Sequence, residues 1–425
     1  MITIKDNQLH IEEVNAVELA NIYGTPLYVY SESKILDKLQ EIKTSFLDLY
    51  PDTHAAFACK AFCTKYMCRL LKREGFWLDV VSGGELYTAL QSDFPAENIE
   101  FNGNNKSLEE LEMAIKHSVG RIVIDDLSEI AIIESLCSTY QKSCNVLFRI
   151  TPGVSANTHD YISTGKKDSK FGISLEPQII FPAIQTVIES PWLNFLGFHF
   201  HVGSQLQETQ THLSALEVVL KLILQVKLRF GIDVKDFNLG GGFGIKYHEG
   251  DYPLPLSAFV DPLMARLTQF CSEHQIKRPH VSMEPGRFIV GESGTQLYTV
   301  GAIKEIPGIK TYVSVDGGMT DNIRPGLYSA KYEAIIANKA AQPKTIKVDI
   351  SGKCCESTDI LIKEQLIAVP ERGDILAVFA TGAYGYSMAS NYNKLTIPAV
   401  VVVSGKSHKI IVRRQSYADM ISREE

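Results

Sequence analysis

At 425 residues the chain is longer than one ordinary hydrophobic core holds, so two domains are expected. Its 45% hydrophobic and 21% charged residues are the balance of a folded, soluble protein rather than a disordered one. The net charge of −7 is spread without long single-sign runs, which argues against a nucleic-acid partner, and no apolar run reaches the ~18 residues of a membrane span.

The opening MITIKDNQLHIEE has no basic stretch leading into an apolar core, so it is not read as a signal peptide, and a cytoplasmic location is expected. The same residues read as a hairpin. A helix over ILDKLQEIKTSFLDLY follows. Short apolar runs then alternate with amphipathic ones: HAAFA, FWLDVV, NIEFN, RIVID, NVLFRI, FLGFHFH, DFNLG and HVSMEP are candidate strands. Between them lie helical patterns such as CTKYMCRLLKREG, SLEELEMAIKHSVG and THLSALEVVLKLILQVKLRFG. Ser107 with Glu110 makes a capping box, and Gly75, Gly120 and Gly231 stand where helices should stop. Strands alternating with helices mean parallel pairing through helical crossovers. A (β/α)₈ barrel over residues 31–287 is the simplest closure, with an open doubly wound sheet as the alternative. After Gly291 the strand-like runs QLYTVGAIKEI, KTYVSVDGG, YEAIIANK, KTIKVDI, DILAVFATG, IPAVVVVSG and HKIIVRR crowd together with few helices. They predict a mainly antiparallel β domain made of residues 288–425 and joined by residues 1–30.

Residues with chemical capacity collect at the carboxyl ends of the predicted strands, where a barrel places its chemistry. In chain order these are Lys60, Asp79 and Ser82, the GNNKS run, Arg149, His199 and His201, the Gly240-Gly241-Gly242 triplet, and Glu284 with Arg287. Each has a plainer reading. A lysine after a strand is usually solvated, a glycine triplet is often only a tight turn, and a glutamate near an arginine is often a salt bridge. Lys60, however, sits in AAFACKAF, where apolar neighbours would bury its stem and lower its pKa. The glycines would let backbone N–H groups approach a phosphate. His199 and His201 share a strand face, which raises a metal-dependent hydrolase as a rival, although further ligands on other strand ends are not evident. The eight cysteines are irregularly spaced and form no C-x-x-C pair, so reduced thiols are expected rather than disulfides or structural zinc.

The stretches GTPLYVY, FACKAF, LDVVSGGEL, GNNKS, HDYISTGKKDSKFG, HFHVGSQ, NLGGGFG, EPGRFIV, DNIRPGLY, CCESTD and GAYGYSMASNYN together resemble the alanine-racemase-like (fold type III) decarboxylases, most closely the diaminopimelate decarboxylases. The resemblance implies pyridoxal 5'-phosphate as cofactor and decarboxylation of meso-2,6-diaminopimelate to L-lysine, the last step of lysine biosynthesis. Related decarboxylases of ornithine, arginine or carboxynorspermidine type are the alternative. By matching position, Lys60 is similar to the lysine that holds the cofactor as a Schiff base, and His201 to the histidine stacked on its ring. Asp79, Ser204, Gly241, Gly242, Gly286 and Arg287 are implied cofactor contacts, and Glu284 would face the ring nitrogen. Arg287, Arg324, Tyr328, Glu356 and Tyr384 are implied substrate contacts, Tyr384 also touching the cofactor. Cys355 matches the catalytic cysteine, a proton donor, and its segment implies a homodimer with shared sites. No metal is implied. Two departures stand out: Phe62 replaces the family's asparagine, and Cys354 precedes Cys355. The polar HDYISTGKKDSKFG stretch is the candidate loop for closing the site.

Overall fold

The computed structural model describes residues 2–154 and 169–425, so most of the HDYISTGKKDSKFG stretch lies outside the described residues. The chain divides into two compact units, one of Leu39–Gly244 and Pro253–Gly286, the other of Met1–Lys38, Ile245–Tyr252 and Arg287–Glu425.

In the first unit eight strands close into a barrel: β1 (Thr53–Ala58), β2 (Trp77–Val80), β3 (Ile99–Phe101), β4 (Arg121–Ile124), β5 (Cys144–Arg149), β6 (Leu193–His199), β7 (Asp236–Asn238) and β8 (His280–Met283). Every neighbouring pair is parallel, and β8 returns to β1. The eight expected strands thus appear in order, and the open sheet is excluded. Crossover helices follow from local signals. In Lys65–Glu74, Thr64 caps the start by accepting from the Met67 N–H, while Met67, Cys68, Leu70 and Leu71 turn one face inward. Gly75 ends that helix in the left-handed conformation, and Gly231 ends Gln210–Phe230 likewise. Burying each large apolar side chain of such a face contributes roughly 1.5–3 kcal/mol; Leu71, fully buried, is the position where a charge would break the helix from the barrel.

Gly120 is not a helix stop. The helix Leu108–Lys116 begins at the Ser107–Glu110 capping box and ends on His117, so Gly120 lies beyond it. A Cβ there would sit 2.1 Å from the Glu97 carbonyl oxygen, so the glycine serves a close backbone approach. The helix expected over ILDKLQEIKTSFLDLY also differs: Glu32–Ile42 is α-helical, and Lys43–Leu47 widens into a π-helical turn.

The second unit is built on a mixed sheet in the order Ile360–Ile367, Ile346–Ser351, Lys310–Val315, Gly294–Ile306, Leu27–Ser31, Ala399–Ser404 and Ser407–Val412. Ile375–Phe379 pairs with both Gly294–Ile306 and Ala334–Ile336. Most neighbours are antiparallel, but Lys310–Val315 runs parallel to Ile346–Ser351, and Leu27–Ser31 parallel to Ala399–Ser404. The latter pair is parallel because Leu27–Ser31, from the start of the chain, is inserted between two late strands. The expected hairpin forms from Ile2–Lys5 and Gln8–Ile11, and its Leu9 and Ile11 join a core with Leu27, Leu297, Ala377 and Val401.

Candidate active site

Lys60 lies on the 3₁₀ turn Cys59–Ala61 directly after β1. Cys59, Ala61 and Phe62 are buried, whereas Lys60 itself is exposed, contrary to the expectation of a buried stem. The turn takes its apolar neighbours into the core and leaves the lysine outside it. Its charge still acts on Asp79, His201 and Glu284. Phe62, one of the two departures from the resemblance, is fully buried and so is absorbed as an apolar contact.

Glu284, just past β8, is only 6% exposed. Its Oε1 lies 3.0 Å from His199 Nε2 and accepts from Asn102 Nδ2 at 3.1 Å and Asn238 Nδ2 at 2.9 Å. Burial alone raises a carboxylate's pKa, but here the charge and hydrogen bond of His199, then Lys60 and Arg149, outweigh it and bring Glu284 down to about 2. Asp79 goes the other way. Burial and the neighbouring Glu284 push it well above the usual carboxylate range, and Asn102 Nδ2 donates to it at 2.6 Å. His201 is held well below the ordinary histidine value by burial and by the charges of Lys60 and Arg149, so its ring is neutral.

The glycine triplet follows β7. Gly240 and Gly242 have φ of +69° and +101°, and Cβ atoms on Gly240, Gly241 and Gly242 would meet carbonyl oxygens of Phe200, Glu284 and Gly203 at 2.3, 2.1 and 2.1 Å. Only glycine fits. The triplet is held by Gly240 N–H on Asn238 Oδ1 at 2.8 Å and Gly241 N–H on His201 Nδ1 at 3.3 Å. Gly286 is similarly tight, with a Cβ 3.0 Å from that of Ala58, which brings the end of β8 against β1.

A buried polar ladder backs this site. Asn238 bridges Glu284 to Glu100 Oε2 at 2.7 Å, and Glu100 meets His54 Nε2 at 2.7 Å and Arg121 Nη1 at 3.4 Å. Arg121 also pairs with Asp236 and lies 4.7 Å from the Trp77 ring centroid. The roles of Glu100, Asn102 and Asn238 were not drawn out of the sequence, although a signal was present. Four strand ends carry polar residues two apart: Glu100/Asn102, Asp236/Asn238, Ser282/Glu284 and His199/His201. A period of two sends both members of a pair to one face.

Other candidate residues have structural partners. Ser82 caps the helix Gly83–Leu90, and Lys106 of GNNKS is buried on Glu129 at 2.9 Å. Arg149 faces Asp125 at 3.6 Å and stacks over Phe171. Among the described residues no group of three or more His, Cys, Asp or Glu could hold a metal ion. His199 is directed to Glu284 and His201 to Gly241, so the metal-hydrolase rival has no support.

In the second unit Arg324, on the short helix Arg324–Tyr328, is 6% exposed. Its Nη1 donates to Tyr247 at 2.9 Å and to Tyr332 at 2.7 Å. Burial pulls its pKa down, but Tyr332 and Tyr247 more than offset that, and the group stays charged. Among the described residues its hydrogen-bond partners are phenols rather than carboxylates. Arg287 also donates to Tyr247, and its guanidinium lies 4.8 Å from the Tyr384 ring centroid. Tyr384 has a φ of +61°, a costly conformation for a bulky residue. It is imposed by a clamped segment in which Tyr30 donates to Gly382 O at 2.7 Å and Gly382 N–H to Gly291 O. Tyr328 lies at the edge of the cluster, its ring centroid 6.0 Å from Arg324.

Cys355 and Glu356 are exposed, and neither is hydrogen-bonded to the arginine cluster. Their loop is pinned at its base: Asp359 accepts from the Met319 and Cys354 N–H groups at 2.7 and 2.8 Å, and Asn393 Oδ1 accepts from Cys355 N–H at 2.7 Å.

A lysine at a barrel mouth, a fully ionised glutamate, a neutral imidazole and a glycine cradle are a donor set suited to a phosphate-bearing aldehyde cofactor. Residues 32–291 match the model of the pyridoxal-dependent decarboxylase family, pyridoxal binding domain. The chain is 47% identical to the diaminopimelate decarboxylase of Bacillus subtilis, over 99% of this chain and 96% of that one. The chain belongs to the diaminopimelate decarboxylase family. Solved members superpose closely. That of M. jannaschii, in complex with L-lysine, has a TM-score of 0.93 at 35% identity, covering 100% of this chain and 98% of that one. The Helicobacter pylori diaminopimelate decarboxylase, also complexed with L-lysine, gives 0.87 at 30% identity over 96% and 99%. As a pyridoxal-dependent decarboxylase the chain is a carboxy-lyase using pyridoxal 5'-phosphate, and its barrel and β unit are those of the family. Among the described residues no helix is long and apolar enough to cross a membrane.

Proposed function

We propose that the chain removes one carboxylate from meso-2,6-diaminopimelate, releasing carbon dioxide and L-lysine. The observation that carries this reading is Arg324. A buried guanidinium whose donors end on two phenols, with no carboxylate partner among the described residues, is an incomplete anion site. Uncompensated buried charge is costly, and a substrate with a second carboxylate at its far end completes it. Ornithine and its decarboxylation products offer no such group.

When bound, pyridoxal phosphate supplies the electron sink for the pair released as carbon dioxide leaves. The residues around it have separate tasks. Lys60 would carry the cofactor through its Nζ, and Glu284, ionised at any physiological pH, would hold a proton on the ring nitrogen. The neutral His201 ring would cover the face of the cofactor without adding a competing charge. Asp79, Ser204, Gly241, Gly242 and Gly286 would complete the cofactor contacts, with Arg287 and Tyr384 serving cofactor and substrate. Arg324 and Tyr328 would fix the distal carboxylate, and Glu356 the distal ammonium. Cys355 would deliver a proton from Sγ to the carbon that loses its carboxylate. Because Cys355 and Glu356 sit on an exposed, well-anchored loop, we read them as serving a second copy of the chain in a homodimer. A cytoplasmic location accords with reduced cysteines throughout.

The test is turnover. With pyridoxal phosphate, purified protein should release carbon dioxide from meso-diaminopimelate and form lysine, and should leave ornithine and arginine largely untouched. Preference for either of those amine acids would overturn the assignment of substrate.

A further inference from the structure

We infer that Tyr247 is a specificity-determining residue that spaces two arginines and donates its own hydroxyl proton to the carboxylate they bind. The inference rests on the reading of Arg324 as an anion-binding group and adds a residue to it.

Tyr247 is 8% exposed and belongs to the same unit as both arginines. Its backbone is fixed by Asp251, whose Oδ2 accepts from the Tyr247 and His248 N–H groups at 2.9 and 3.2 Å. Its ring is fixed by an edge contact with Tyr332, 5.4 Å between centroids at 88°. The hydroxyl therefore has a set position. Nη1 of Arg324 reaches it at 2.9 Å, and Nη1 of Arg287 donates to the same oxygen. Both guanidinium carbons also lie over its ring, at 5.0 and 5.6 Å from the centroid.

A phenol has two acceptor lone pairs and one proton. With two guanidinium donors the lone pairs are filled, and among the described residues nothing accepts the proton. The Arg324 guanidinium ends on two phenols with no carboxylate partner among the described residues, and an anion offered beside the Tyr247 hydroxyl would supply one. A carboxylate has the acceptor capacity to take an N–H from each arginine and the O–H of Tyr247 together. An ammonium there would meet two cations and a donor, and would be rejected. Tyr247 would thus select for substrates that end in a carboxylate, and for the lysine product, which keeps it.

The experiment compares two inhibitors of diaminopimelate turnover by the holoenzyme: L-lysine, which keeps the distal carboxylate, and 1,5-diaminopentane, which lacks it. Tyr247→Phe preserves the ring contacts and removes only the hydroxyl. The expected result is that KM for diaminopimelate and the inhibition constant of L-lysine each rise about 10-fold or more. Inhibition by 1,5-diaminopentane, kcat and the visible absorption of the bound cofactor should change little. If Tyr247→Phe does not hold cofactor, Tyr247→His serves, because one ring nitrogen cannot accept from the arginines and donate to the ligand at once; the same selective loss is expected. Equal weakening of both inhibitors, or of neither, while Arg324→Gln selectively weakens L-lysine, overturns the role of Tyr247 alone. Wild-type enzyme that does not decarboxylate diaminopimelate overturns the substrate reading beneath it.

Discussion

Around Glu284 the barrel gathers acids and faces them with amides and basic groups: Asn102 and Asn238 bridge Asp79, Glu284 and Glu100, and His199, His54 and Arg121 lie within ion-pair distance. Around Arg324 the second unit gathers cations and surrounds them with phenols, Tyr247, Tyr332 and Tyr384, rather than carboxylates. The first arrangement is electrostatically closed. Its protonation states are set by the protein itself, which is what a group tuning a cofactor ring requires. In the second, Arg324 has no carboxylate partner among the described residues, which is what a group selecting an anionic ligand requires. The difference separates residues that govern rate from residues that govern recognition, and mutations should divide along the same line.

The largest effect belongs to the barrel. Lys60→Ala should lower kcat on the order of 10³-fold or more, since it removes the amine proposed to carry the cofactor; assay of carbon dioxide release checks it. Glu284→Gln should keep the cofactor yet cut kcat on the order of 10²-fold, because the ring nitrogen would lose the anionic partner proposed for it. Arg324→Gln should instead raise KM for diaminopimelate, on the order of 10- to 100-fold, with a smaller change in kcat. Should Glu284→Gln act on KM and Arg324→Gln on kcat, the division of labour fails.

Stability offers a finer test. Asn238→Leu leaves two buried carboxylates each short of a donor, and should cost roughly 2–4 kcal/mol in denaturant unfolding. The smallest effect concerns His212, enclosed by Phe200, Phe243 and Phe259, whose burial lowers its pKa to about 4. Between pH 6.5 and about 4 the unfolded chain binds a proton there and the folded chain does not, so stability falls as pH drops through that window. His212→Leu should remove a slope of up to roughly 1.4 kcal/mol per pH unit, measurable as a flatter pH dependence of the unfolding midpoint.

Much of the barrel was legible because its strands are short apolar runs separated by capped helices, and each signal is local. Lys60, Glu284 and the glycine triplet stand out in the sequence because each follows a predicted strand, where a barrel places its chemistry. The β unit was harder to read. Leu27–Ser31, adjoining no other strand in sequence, gave no sign that it would lie between Gly294–Ile306 and Ala399–Ser404. Ile360–Ile367 is hidden in the sequence because Lys363, Glu364 and Gln365 interrupt its apolar pattern; Glu364 takes a φ of +55° beside irregular register with Ile346–Ser351. Tyr247 could not be found from spacing, since its partners come from positions 40 and 77 residues further on. The exposure of Lys60 is not readable from AAFACKAF, because apolar neighbours say what a turn packs against, not which of its side chains is left outside.

The measurement that bears most directly on this account is covalent. Protein loaded with pyridoxal phosphate, reduced with borohydride, digested and mapped should carry the pyridoxyl group on the peptide containing Lys60, with the visible absorption of the holoenzyme lost on reduction. A label found on any other lysine, or on none, would contradict it.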